Sequence, residues 1–121
     1  MKTQIRLLSV LTVAALLAGC GGRLERAEDH PSPDGRYIAT FLLRTGDGTV
    51  SDMPEVCLHE AETKASSRGN VFRGYRSYRL KIEWTSPTNL VIRHSPDCQV
   101  DRHLTRWQDV QIKTVADASW M

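Results

Sequence analysis

The residues best equipped for chemistry are three cysteines, at positions 20, 57 and 98, and four histidines. A thiol can be alkylated, oxidised to a disulfide or bound to a metal, and its surroundings decide which. Cys57-x-His59 and His94-x3-Cys98-x4-His103 contain zinc-ligand types. Zinc needs deprotonated ligands converging tetrahedrally, and this spacing fits no standard site, so no metal is expected. Asp101 with His103, and Asp97 with His94, have the residue types of acid–base dyads. Hydrolysis also needs a nucleophile and an oxyanion site. The chain has neither a Gly-x-Ser-x-Gly elbow nor a phosphate-cradling glycine loop.

A second constellation is Phe72-Arg73-Gly74-Tyr75-Arg76-Ser77-Tyr78-Arg79, three arginines interleaved with three aromatics. Arginine forks grip phosphates and carboxylates bidentately, and aromatic rings offer stacking faces. Arg73, Tyr75, Arg76 and Arg79 are therefore candidate contacts for an anionic ligand. The same run also reads as an edge strand bent at Gly74, its arginines turned outward against aggregation.

The first twenty residues carry an address. Lys2 and Arg6 precede a twelve-residue apolar run, Leu7 to Ala18, broken only by Ser9 and Thr12. A helix needs about 20 apolar residues to cross a bilayer, so this run suits the core of a secretory signal instead. Leu17-Ala18-Gly19-Cys20 resembles the lipobox of bacterial lipoproteins at every motif position. The resemblance implies diacylglyceryl transfer to the Cys20 thiol, cleavage before it and, in many bacteria, acylation of the new amine. It implies a membrane partner through that lipid and a place in the cell envelope. Gly21 stands where an aspartate usually holds such lipoproteins at the inner membrane. The expected site is thus the outer membrane, facing the periplasm, in a Gram-negative host, and otherwise the outer face of the cell membrane.

Removing residues 1–19 changes the charge argument. The whole chain has 16 Lys+Arg against 14 Asp+Glu, a formal charge of +2. Lys2 and Arg6 leave with the signal, so residues 20–121 carry no net charge with histidines neutral. A nucleic-acid partner loses its main support, and none is expected. About a hundred residues make one domain with a thin core. Cys57 and Cys98 remain as an even pair in an exported protein, for which a disulfide is the natural expectation. It would close a loop of 42 residues and contribute about 4 kcal/mol through chain entropy.

The elements that must position these residues read as strands. Gly21 to His30 is polar, with one large aliphatic residue, and reads as a lipidated tether spanning 20–30. Ser32-Pro33-Asp34-Gly35 is a turn with glycine at its left-handed exit. Strands are expected over Arg36–Arg44 and Glu55–Glu60, with a short one at 70–73. Val56 and Leu58 would share one face of the second, Cys57 and His59 the other. Gly46-Asp47-Gly48 and the polar segment 60–70 read as a turn and a loop. Tyr78, Leu80, Ile82 and Trp84 alternate with Arg79, Lys81 and Glu83, the clearest strand signal in the chain. A short turn leads to Leu90–His94 as a hairpin, and Trp107–Val115 closes the set. The expectation is a cleaved signal helix (1–19), the tether (20–30) and a mainly β domain (31–121). That domain would be one small antiparallel unit of five or six strands: a meander, sandwich or partly open barrel.

Residues 32–39 resemble the start of a blade strand in TolB-type β-propellers, but the chain is too short for a closed propeller. Ser32–Phe41, Phe72–Ser77 and Tyr78–Trp84, continuing to Leu90–His94, are similar to segments of small bacterial lipoproteins without an assigned activity. The functional expectation is a membrane-anchored envelope protein with a non-enzymatic binding or structural role and no cofactor. Its partner would be an envelope protein or an anionic envelope component. The alternatives are an inhibitor of a hydrolase such as lysozyme, and a small hydrolytic enzyme.

Overall fold

The computed structural model describes residues 23–45, 52–77 and 79–120. The signal, Cys20, Gly21, the turn at 46–48 and Tyr78 lie outside the described residues. Two sheets face each other. Sheet A has the order β1 (Arg23–Pro31), β2 (Tyr37–Thr45), β3 (Met53–Glu60), β4 (Phe72–Tyr75), β7 (Gln99–His103). Sheet B has the order β5 (Lys81–Ser86), β6 (Asn89–His94), β9 (Val110–Ala116), β8 (Arg106–Trp107). Neither closes into a barrel. Among the described residues no helix is long and apolar enough to cross a membrane.

The mainly β expectation holds. Val56 and Leu58 point into the core beside Ala39 and Phe72, against Leu90, Ile92, Val110 and Ile112 of sheet B. Ile82 and Trp84 pack on the same core, so the period-two pattern located the buried face correctly. The Ser32 turn forms as its residues dictate. The Gly35 N–H donates to the Ser32 carbonyl at 2.9 Å, and Gly35 takes φ +74°. The Ser32 hydroxyl, turned to Asp34 at 2.8 Å, also accepts the Tyr37 N–H at 3.1 Å.

Three details differ from the sequence reading. The strands among the described residues number nine, because the two edges of sheet A have no periodicity and the expected strand Trp107–Val115 is two, β8 and β9, joined by a turn at 108–109. β1 is exposed along nearly its whole length, so the segment read as a tether has no apolar alternation although it pairs with β2 from Arg23 to Pro31. β7 is likewise polar. Edge strands commonly carry charge to block further pairing. Second, β6 and β9 run parallel, because the chain leaves sheet B through β7 and returns before β9.

Third, the expected Cys57–Cys98 bridge is not formed: both residues are buried free thiols. Cys57 lies in register with Thr40 and Asp29 on the outer face of sheet A, with its Sγ 3.5 Å from Ser66 Oγ. Cys98 belongs to the core between the sheets, where a Cβ on Gly74 would come within 2.8 Å of its Sγ. The sheet therefore separates the two thiols, and a disulfide needs Cβ atoms about 4 Å apart.

Candidate functional site

The outer face of sheet A carries a groove that sequence spacing did not suggest. Antiparallel register sets Asp29, Thr40 and Cys57 in one row across β1, β2 and β3. His59, two residues beyond Cys57, leans diagonally onto Thr40. Thr40 Oγ1 donates to Asp29 Oδ1 at 2.8 Å and stands 2.9 Å from His59 Nε2. His59 Nδ1 is 2.9 Å from the Glu60 carbonyl oxygen. That oxygen only accepts, so Nδ1 carries a proton. Thr40 has one proton, and Asp29 takes it. The Thr40 hydroxyl thus links the Asp29 carboxylate to the His59 ring.

Around this chain is a concavity of about 510 Å³. Leu42, Ile38, Ala27 and Leu24 form its apolar part; Thr63, Lys64, Ser66 and Ser67 form the opposite wall. Small residues such as Ala27 and Ala65 keep it open. The arrangement can hold a ligand's polar group against Asp29 and His59 and its apolar part along Leu42.

The opposite wall is fixed by an ion cluster around the buried Glu55. Glu55 is only 2 % exposed, and its Oε1 accepts the Gly69 N–H at 2.7 Å. Arg68 Nε lies 3.5 Å from Oε1 and Arg44 Nε 3.7 Å from Oε2. The Arg73 guanidinium donates to the Gly69 carbonyl at 2.8 Å. Asn70 adds two bonds to the Leu58 backbone, at 2.7 and 2.8 Å. Of the expected polar loop 60–70, Glu60 ends β3, and the rest is held to the sheet by charge and backbone pairing.

A second concavity, of about 470 Å³, lies at the far end of the strands between Asp34, Tyr37, Glu60 and Gln108. There the Tyr37 hydroxyl donates to Asp109, joining sheet A to the β8–β9 turn. Arg36 lies over the Tyr37 ring at 5.0 Å, with its Nη1 3.7 Å from Asp109. Trp107 meets Tyr37 edge-on at 5.7 Å. The Tyr37 bond pulls the Asp109 carboxyl below its ordinary range and pushes the Tyr37 hydroxyl up.

The other candidates are dispersed. Tyr75 and Arg76 lie together, exposed, at the end of β4. Arg73 is engaged by Gly69, and Arg79 lies over Trp120 at 5.1 Å, so the four do not form one patch. Asp101 and His103 are exposed on edge strand β7. His94 is buried against Phe72, with its Nδ1 2.8 Å from the Ser95 carbonyl; Asp97 is exposed on the following turn. Burial pushes the Cys98 thiol up. Among the described residues no three His, Cys, Asp or Glu side chains form a group that could hold a metal. No protein-family model, curated protein or solved structure matches this chain.

Proposed function

We propose that this chain is a lipid-anchored protein of the bacterial cell envelope, cut before Cys20 and acylated on that thiol. Its β-sandwich acts by binding. One observation carries the reading: a charged start and a twelve-residue apolar run end in Leu17-Ala18-Gly19-Cys20. Only a thiol yields the thioether, and small residues before it suit a protease cleft. Two or three acyl chains hold a protein durably, because each buried methylene contributes about 0.8 kcal/mol. The groove around Asp29, Thr40 and His59 is the binding site, and its occupant is an envelope component. Leu24, which lines it, stands four residues after Cys20.

Metabolic labelling with a fatty acid, followed by envelope fractionation, tests the anchor. The wild type takes up label and sediments with membranes; Cys20→Ala does neither. Retention of envelope components by immobilised protein tests the groove. It should fall at least fivefold in Asp29→Ala and His59→Ala. Label retained by Cys20→Ala would contradict the anchor, and unchanged retention the groove.

A further inference from the structure

Among the described residues, two large hydrophobic side chains are exposed: Leu24 at 47 % and Tyr75 at 36 %. They are 51 positions apart in the chain, yet the topology brings them to the same end of sheet A. Leu24 pairs with Arg44, and Arg44 pairs with Met53. β4 runs antiparallel to β3 with Arg73 opposite Glu55, so Tyr75 comes level with Met53. The end is closed by a backbone bond from the Arg76 N–H to the Asp52 carbonyl, at 3.0 Å.

Each of the two hydrophobics has an exposed arginine beside it in sequence, Arg23 and Arg76. The nearby acids are Glu25, which accepts from Thr45 Oγ1 at 3.4 Å, Asp52, which is half-buried, and Asp97, exposed on the turn before Gln99, the partner of Tyr75. The opposite end of the strands carries Asp34, Glu60, Glu62 and Asp109 beside Arg36, so acids outnumber bases there.

Two glycines separate Cys20 from Arg23. Three residues reach at most about 10 Å when extended, roughly one screening length at physiological salt. A protein acylated at Cys20 therefore cannot stand clear of its membrane at this end.

From these placements we infer that the Leu24–Tyr75 end is a membrane-contact surface, fitted to the interfacial layer of a bilayer bearing anionic headgroups. The inference rests on the proposed acylation of Cys20. Leu24 enters the boundary between headgroups and acyl chains. The Tyr75 ring lies at the headgroup level, where aromatic side chains with a polar tip are favoured. Arg23 and Arg76 fork onto lipid phosphates. The acidic end points away from the negative surface, which favours the same orientation. The domain is thus oriented on the membrane as well as tethered to it.

The test uses the mature, acylated protein in vesicles of phosphatidylcholine, with and without one-third phosphatidylglycerol. Nitroxide labels are placed through Leu24→Cys, Tyr75→Cys and, at the far end, Glu62→Cys. Unsubstituted protein controls for labelling of Cys57 and Cys98. Accessibility to a water-soluble nickel chelate and to lipid-soluble oxygen is then measured.

Labels at 24 and 75 should be severalfold less accessible to nickel than the label at 62, and more accessible to oxygen. Phosphatidylglycerol should deepen the contrast, and the pair Arg23→Gln and Arg76→Gln should abolish that deepening. A label at 75 as accessible to nickel as the one at 62, in both compositions, would overturn the inference. Intact mass of the same samples separates the two failures. Acylated protein with water-exposed labels overturns the orientation alone, whereas an unmodified Cys20 overturns the anchor and the orientation together.

Discussion

Glu55 accepts a 2.7 Å hydrogen bond from the backbone N–H of Gly69, fourteen residues later, and this contact holds the segment that walls the groove. A Cβ at Gly69 would come within 2.5 Å of the Phe72 carbonyl oxygen and 2.9 Å of the Val56 nitrogen. Both are backbone atoms and cannot swing aside. Gly69→Ala should therefore cost about 2–3 kcal/mol. Glu55→Gln keeps the shape but leaves the buried Arg44 uncompensated, and should cost about 3 kcal/mol. Urea denaturation measures both; wild-type stability in either variant would show that the cluster does not hold the segment.

Thr40 is the bridge through which Asp29 and His59 communicate. A double-mutant cycle on Asp29→Ala and His59→Ala should give a coupling of about 1 kcal/mol. The same cycle built on Thr40→Val should give a coupling near zero. Equal coupling in both backgrounds would mean that the two residues interact without the hydroxyl.

The Tyr37–Asp109 bond predicts a pH dependence with a definite sign. Asp109 is lowered from its ordinary 3.8, so its contribution is present above that value and is lost as pH falls through the lowered one. Tyr37 is raised from 10.0, so its contribution is present below 10.0 and is lost as pH rises through the raised value. Tyr37→Phe removes both. Its Tm should fall by several degrees near neutrality and decline less steeply in acid than that of the wild type. Identical acid slopes would remove the bond from the account.

The two thiols should behave independently. Alkylation after unfolding, without reductant, should modify both Cys57 and Cys98; in the folded protein both should react slowly, because both are buried. A chain two hydrogens lighter that resists alkylation would show a bridge that this arrangement of strands does not allow.

What could be read from sequence was whatever had a local period. Val56 and Leu58 against Cys57 and His59, and Ile82 and Trp84 against Lys81 and Glu83, sort correctly because successive strand side chains point to opposite faces, although segment 61–70 buries Cys57 on the outer face as well. β1 and β7 lacked that signal because an edge strand's exposed side chains need not alternate. Compartment alone pairs Cys57 with Cys98; alternation already sets Cys57 on the face away from Val56 and Leu58, but no local pattern places Cys98 in the core on the other side of that sheet. His59 is a ligand type beside Cys57 in the sequence. Its partner Thr40, and Asp29 beyond it, come from other strands, 19 and 30 positions away, and no local spacing encodes a three-strand register.

The proposed anchor depends on the chemistry of one residue, Cys20. Intact-mass spectrometry of protein extracted from the membranes of cells making the full chain tests it directly. Acylation at Cys20 predicts a polypeptide that begins at that residue and carries the added mass of a diacylglyceryl group. A chain that begins elsewhere, or one whose Cys20 remains a free thiol, would contradict it.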